Sequence, residues 1–583
     1  MAKRKNRASM KWHSMDLHLH TPASSDYQDK DASYLDVLKQ AEAKGLDIIA
    51  FADHNTVAGY RKMRDEIEQL ELLKSLKRIL PEEEKRLKEY QRLTEKILVL
   101  PGFEFTATFG FHILGIFSPE KPVREIEHLL LAMNVPPGDL DKGSVTVGAS
   151  SDVLMAYRLI NEAGGIAIAA HANSTNGVAM RGFGFGGQTK IAYTQDSNLH
   201  ALEVTDLEQR GRRTTANFFS GIKPEYPRRM HCIQGSDAHR LKTDPTKAKN
   251  LGIGDRTSEV LLGEVSFDAL IALFNSNDFA RTRPRRKKKD EPAFDFVRSA
   301  REEGGNIVQD FHGSMTVRGG YLYNIISDVC AFANTNGGTL YIGMSADSKA
   351  PVVGIKSPAQ AIKQLEKEIS NRISPPLTCT VDKHKSGGKD IIRILVPRGE
   401  DPPYAVDDNK IYLREEAETS LAVRDEIVGL VMRGTGAGPM DLPAAEVKTT
   451  KQPAAKGAKK KAPKPTDGAP KTGVEVVSFN ERNGTRYYTV RDLRNGNVVK
   501  NVTEKSARKL WHYAIMAYAK MSEQKGEAGV QWQGEMGLVK KYKQGRSLRY
   551  DLMQKSGKEK RYFFGVTEDG IHSGWRNLVG GDE

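Results

Sequence analysis

Residues 15–21 read MDLHLHT. The run MDLHL (15–19) suits a short buried strand, and His18 and His20 stand at alternate positions, so an extended backbone aims both to one side. Six further apolar runs repeat the construction: LDIIAF (46–51), ILVL (97–100), FHILGIF (111–117), GIAIAA (165–170), ALEV (201–204) and HCIQ (231–234), with helix-like patterns between several of them. Such a rhythm implies an α/β fold built as a parallel barrel or sheet. In a βα barrel the strand ends on one face converge, so residues remote in sequence meet at one mouth.

Those strand ends carry ligand chemistry. His18 and His20 end the first run, His54 follows the second, Glu104 the third, His171 the fifth, and Asp237 with His239 the last. With His112 added, six of the chain's 14 histidines share the pattern. Imidazole and carboxylate together suit zinc, manganese or iron, and carboxylates bridge neighbouring ions. One His-x-His pair carries little weight alone, and the Asp-His of ADHNT or SDAHR also serves as a helix cap. The set weighs more than its members.

Through DLHLHT (16–21), ADHNT (52–56), PGFEF (101–105), AHANS (170–174) and GSDAH (235–239), residues 14–275 resemble the PHP family, the polymerase and histidinol phosphatase superfamily of metal-dependent phosphoesterases. The resemblance implies a distorted (β/α)7 barrel holding up to three divalent ions, Mn2+, Zn2+ or Fe2+. Their ligands would be His18, His20, Asp26, His54, Glu104, His112, His171, Asp237 and His239, with Glu104 bridging two ions. It implies phosphate-ester hydrolysis, with catalytic roles for His18, His20, Asp53, Glu104 and Asp237. Clustered ions lower the pKa of a bound water and neutralise charge on phosphoryl oxygens. Since every ligand position is filled, an active enzyme is expected rather than a degenerate copy. Asp53, beside His54, is read as orienting a ligand or as capping a helix. RGFGFGGQTK (181–190) lacks the ending of a P-loop and is read as a mobile loop whose Arg181 and Lys190 contact substrate phosphate.

The 583 residues suit roughly three or four domains. RTRPRRKKKD (281–290) packs seven cations into nine positions, and 441–471 is a Lys/Pro/Ala-rich stretch without apolar periodicity; both read as linkers. They separate bodies at 1–280, 291–440 and 472–583. Residues 60–96 read as a charged helical hairpin with Pro81 in the first turn of its second helix. No internal repeat is evident. The net charge of +14 is concentrated: residues 442–471 hold eight lysines against two acids, and 472–583 hold twenty cations against thirteen acids. A basic C-terminal third on a nearly neutral body points to nucleic acid as partner.

In the second body, YLYNIISDVCAFANTNGGTLYIGM (321–344) runs from an apolar helix pattern through Gly-Gly into a strand. With VVGI (352–355), IIRILVP (391–397), PPY (402–404) and IYLREEAET (411–419), it resembles the AlbA-like domain of the Schlafen type, an α+β module whose relatives bind nucleic acid. Asp310, Phe311 and His312 stand where relatives that cut RNA carry Glu-Phe-Lys, and Gly305 replaces an upstream acid, so a binding or assembly role is expected. Arg414 is a candidate phosphate contact, with a structural ion pair as the alternative. The third body interleaves Lys and Arg with Tyr and Phe; it reads as a small basic α+β domain with a hairpin turning at Asn495-Gly496 and a helix at 504–520.

The sequence therefore favours a metal-dependent nuclease whose AlbA-like and C-terminal domains grip nucleic acid. A small nucleotide or sugar phosphatase, and a nucleic-acid-binding regulator on a metal-stabilised scaffold, are the alternatives. No apolar run approaches the ~18 residues of a membrane span, and three cysteines with no signal segment fit a cytoplasmic protein. Self-association through the AlbA-like domain is a further expectation.

Overall fold

The computed structural model describes residues 10–145, 151–179, 187–209, 214–223, 225–285, 295–434, 468–482, 485–494, 496, 498–504, 507, 509–523, 529–544, 547–556, 559–572 and 574–580. They fall into two compact units, Met1–Ala300 and Arg301–Glu583. Arg181 and Asn495 lie outside the described residues.

The first unit is built on strands β1 (Lys11–Leu19), β2 (Ile48–Phe51), β3 (Leu98–Thr106), β4 (His112–Ile116), β5 (Ile166–Ala169), β6 (Ala201–Glu203), β7 (His231–Ile233), β8 (Ser258–Leu262) and β9 (Thr282–Pro284). They form one nearly closed, barrel-like sheet in the order β7-β6-β5-β4-β3-β2-β1-β8-β9. All seven apolar runs are strands. The all-parallel expectation needs correction: β1–β2–β3 and β5–β6–β7 are parallel, but β4 is antiparallel to both neighbours, and β8 and β9 are antiparallel additions. The reason is the short connection between β3 and β4, which turns through Phe109 at φ 65° and leaves no room for a crossover helix.

The sheet is apolar on both faces. One packs Ile49, Phe51, Phe103 and Ile113 beneath the helices; the other packs Leu17, Ile48, Leu114 and Ile168 with Phe267 and Leu270 of the helix Phe267–Phe274. Helix α1 (Tyr34–Ala43) precedes β2, and the expected hairpin is present as α2 (Ala58–Ser75) and α3 (Pro81–Lys96), with Pro81 at the start of α3. The first linker was drawn too early. Thr282–Pro284 pairs with β8, Arg283 donates to Glu259 at 2.6 Å, and its guanidinium stacks 3.7 Å from the Trp12 ring, so the sheet extends into the basic run.

In the second unit, β10 (Gln309–His312), β11 (Gly338–Ile342), β12 (Ile373–Ser374), β13 (Thr380–Ser386), β14 (Lys389–Val396), β15 (Ala405–Val406), β16 (Tyr412–Glu415) and β17 (Glu418–Leu421) accompany two long helices, Tyr321–Asn334 and Pro358–Arg372. The main sheet runs β10-β11-β14-β13. The AFANT segment has a physical role here: the buried Asn334 amide donates to the Tyr404 and Tyr412 carbonyls and accepts from the Tyr404 N–H, pinning two later loops to the helix end. Gly337 follows at φ 71°, where a Cβ would meet the Arg398 nitrogen at 2.7 Å.

The C-terminal part forms one seven-stranded antiparallel sheet, β18 (Val474–Arg482), β19 (Thr485–Asp492), β20 (Val498–Val502), β21 (Gln531–Gln533), β22 (Met536–Gln544), β23 (Ser547–Ser556) and β24 (Glu559–Thr567), ordered β20-β19-β18-β24-β23-β22-β21. The sheet consists of a three-stranded meander followed by the helix Lys509–Glu523 and a four-stranded meander followed by the helix Gly574–Val579, joined where β18 meets β24. Adjacent Phe564 and Phe563 serve the two cores on opposite faces. The second linker also ends earlier than expected, since Trp575 donates to the Gly468 carbonyl and Lys471 to that of Gly570.

Candidate metal centre

Backbone hydrogen bonds tie each candidate segment to the next. The Glu104 N–H donates to the Asp53 carbonyl and the Asn55 N–H to that of Glu104; the Asp237 N–H donates to His18 and the His20 N–H to Ala238. β1 shifts register against β2 between Asp16 and Leu19, an irregularity that re-aims side chains next to sites. Asn55, His171 and Asp237 hold positive φ of 53°, 29° and 55°, local strain that the surrounding hydrogen bonds must hold in place.

All nine expected side chains converge. Glu104, buried at the centre, has two oxygens with different company. Its Oε1 lies 2.9 Å from His112 Nδ1, 3.2 Å from His171 Nε2 and 3.3 Å from His18 Nε2; its Oε2 lies 2.8 Å from His54 Nδ1 and 3.5 Å from His20 Nε2. Asp237 Oδ1 stands 3.3 Å from His18 Nε2 and 3.5 Å from His20 Nε2. Asp26 Oδ2 faces His54 Nε2 at 3.3 Å and His239 Nε2 at 3.2 Å, while those two nitrogens are 3.2 Å apart. Three donor groups result: His20, His54 and His239; His18, His20, Glu104 and Asp237; and Glu104, His112 and His171.

Several buried donor atoms here make no well-aligned hydrogen bond despite these close approaches: His18 Nε2, His20 Nε2, His54 Nδ1, Asp26 Oδ1 and Glu104 Oε2. Leaving such atoms orphaned is costly, and a cation resolves it. The fit is geometric too, because donors sharing an ion at bonds near 2.1 Å lie about 3.0–3.4 Å apart. Mixed imidazole and carboxylate donors suit Zn2+, Mn2+ or Fe2+.

Three residues behind the ligands went unrecognised in the sequence. Buried Glu203 lies 2.7 Å from His18 Nδ1, placed to accept its N–H; in the neutral ring this leaves Nε2 as the nitrogen with a lone pair, facing the centre. Ser24 gives its single hydroxyl proton to Asp53 at 2.8 Å, so it can only accept from His20 Nδ1 at 3.0 Å, and His20 Nε2 is likewise left as a lone pair. Buried Asp16 accepts from the Ser236 and Gly254 N–H groups, and burial pushes its pKa up to about 6. An acid inside an apolar run, as in ALEV or MDLHL, was the available signal.

Electrostatics follow burial and neighbours. Burial opposes charge on His18 and His54, yet Glu203 and Glu104 hold His18 well above the usual imidazole range, and Glu104 with Asp26 raises His54 to about 10. Burial, with His239 and His54 beside it, drives His20 well below that range. Burial alone would raise Glu104, but His112, His18 and His54 hold it far below an ordinary carboxyl.

Other expected site residues stand elsewhere. Both Asp53 oxygens are committed, accepting from the Thr21 N–H, the Thr21 hydroxyl and Ser24, and the residue preceding α2 is Val57. Asp53 is therefore held by Thr21 and Ser24 behind the histidines and is not the cap of α2. Lys190 lies on the helix Gly187–Gln195 and does not line the cleft of about 650 Å3 that opens over His54, Glu104, His171 and Asp237. Arg414, 1% exposed, pairs with Asp310 at 2.7 Å and donates to the Asn306 carbonyl and Thr419, so it is a structural ion pair and not a substrate contact. Its charge sits on the acids of the second body.

No curated protein matches the chain. Among solved structures, the lesion-specific endonuclease PfuEndoQ from Pyrococcus furiosus is 14% identical, over 47% of this chain and 58% of its own, at a TM-score of 0.32. An Endonuclease Q complex with a 27-mer duplex bearing an abasic lesion is 13% identical, over 45% and 56%, at 0.30. A protein described as a metal-dependent phosphoesterase from Bifidobacterium adolescentis is 17% identical, over 46% and 98%, at 0.28. The chain thus spans under two thirds of either endonuclease, and scores this low carry no argument; the centre's chemistry rests on its own geometry. The model of the Schlafen AlbA_2 family matches residues 307–423. The chain joins an α/β body, in which nine imidazole and carboxylate side chains converge, to a region, 307–423, that matches the Schlafen AlbA_2 family model.

Proposed function

We propose that the protein is a metal-dependent phosphoesterase acting on phosphodiester bonds in nucleic acid, that is, a nuclease. The observation that carries the reading is the convergence of nine imidazole and carboxylate side chains around buried Glu104, whose two oxygens face five of the histidines. Divalent ions held there would supply an activated water and offset charge on the phosphoryl oxygens. The chain's own residues do the positioning. Glu203 fixes the ring of His18, Ser24 and Asp53 fix that of His20, and Glu104 presents one oxygen to each histidine group. Asp26, Asp237 and His239 stand at the open side, where a substrate phosphate enters.

Nucleic acid is favoured over a small ester by the basic C-terminal third and by the AlbA_2 region. The test is hydrolysis of end-labelled single- and double-stranded DNA and RNA with Mn2+, wild type against Asp237→Ala. We expect cleavage of at least one polymer by the wild type and a loss of about two orders of magnitude or more in the variant. Equal cleavage by both at equal metal content would remove the centre from the reaction.

A further inference from the structure

The cleft has a cationic rim that no motif marks. Arg240, Lys249 and Arg256 line it from one loop, residues 240–256, directly after Asp237 and His239. The loop is braced by two acids. Asp244 accepts from the Thr246 N–H at 2.9 Å, the Thr246 hydroxyl at 2.7 Å, the Lys247 N–H at 3.2 Å and the Asn250 amide at 3.1 Å. Asp255 accepts from the Gly252 N–H at 2.7 Å and Lys44 Nζ at 2.6 Å. Both ends are anchored to the body, the Leu241 N–H on Asp29 and the Gly254 N–H on Asp16.

This bracing spends little of the cations' donor capacity. Arg240 touches Asp244 through Nη1 at 3.1 Å, and Arg256 gives Nε to the Gly235 carbonyl at 2.7 Å, so each guanidinium keeps other N–H groups for the cleft. Lys249 is exposed and has no ion pair or hydrogen bond among the described residues. A substrate with a single phosphate would be neutralised by ions at the centre and would leave Lys249 and the remaining N–H groups of the two arginines unused. A chain of phosphates would occupy both.

We propose that Arg240, Lys249 and Arg256 grip the phosphates flanking the scissile one, and so select a nucleic-acid strand over a small phosphate ester. This rests on the phosphoesterase reading of the cleft. The experiment uses the full Mn2+-loaded chain and the double variant Arg240→Gln, Lys249→Gln. Binding of a short fluorescent single-stranded oligonucleotide is followed across a salt series, and hydrolysis of that oligonucleotide and of bis(p-nitrophenyl) phosphate is compared.

The dissociation constant should rise on the order of tenfold, and the slope of log affinity against log salt should become shallower by about two. The ratio of oligonucleotide to small-ester kcat/KM should fall about tenfold or more. Should the double variant not fold, Lys249→Gln alone, at an exposed position, should reduce the slope by about one. An unchanged slope overturns the rim. A reduced slope in a protein that hydrolyses neither substrate at full metal content overturns the phosphoesterase reading and leaves the rim as a binding site.

Discussion

Ser24 and Glu203 determine which nitrogens of His20 and His18 are available, although neither reaches the centre itself. Glu203→Gln keeps an acceptor for His18 Nδ1 but removes the charge that raises the basicity of the ring. Metal affinity should fall about 10- to 100-fold, measured by titration against a fluorescent chelator; affinity equal to wild type would deny Glu203 this role. Seven of the nine candidate ligands were legible as titratable side chains at or just beyond the end of an apolar run; His112 opens such a run, and Asp26 came only from the family resemblance. Glu203 was not legible, because a single acid within ALEV reads as strand until β6 is seen beside β1's histidines. Arg414 misled for the opposite reason: a cation near acids looks the same in sequence whether it waits for phosphate or is already paired.

Among the elements, the β13–β14 hairpin of the AlbA_2 region carries a pH dependence of definite sign. Asp382 takes two hydrogen bonds from buried Arg393, Nε to Oδ1 at 3.0 Å and Nη2 to Oδ2 at 2.6 Å, and one from His384 at 3.0 Å. Burial opposes its charge, but His384 and Arg393 outweigh this and lower its pKa to about 2. The folded value lies below the unfolded one, so the stabilisation is present above pH ~4 and is lost as pH falls towards 2. Asp382→Asn should therefore destabilise the second unit by about 2 kcal/mol at neutral pH, with the gap to wild type closing across that window in denaturant titrations. A gap of constant size would refute the assignment. Element order in the first unit was legible from apolar runs alone, but the reversal at β4 was not, since a strand run has no direction until the length of its connection is weighed.

For the whole molecule, metal is expected to be part of the stability of the Met1–Ala300 unit, because ions that bind only the folded cluster shift its unfolding by mass action. Stripping metal with a chelator should cost about 3 kcal/mol relative to protein in free metal at roughly a hundred times Kd, and readdition should restore it. A melting temperature indifferent to chelation would mean the donors are satisfied without ions. Domain boundaries were the least legible feature, because a basic run was taken to end a fold. Arg283 shows otherwise: it lies on β9, against Trp12 and Glu259. A protein shortened to end at residue 280 would lose that strand, bare the edge of β8 and uncover the Trp12 ring, an open template for pairing with another molecule. We expect that version to aggregate where one ending after residue 285 stays monodisperse by light scattering, so whoever isolates the first unit must keep the first three arginines of the basic run.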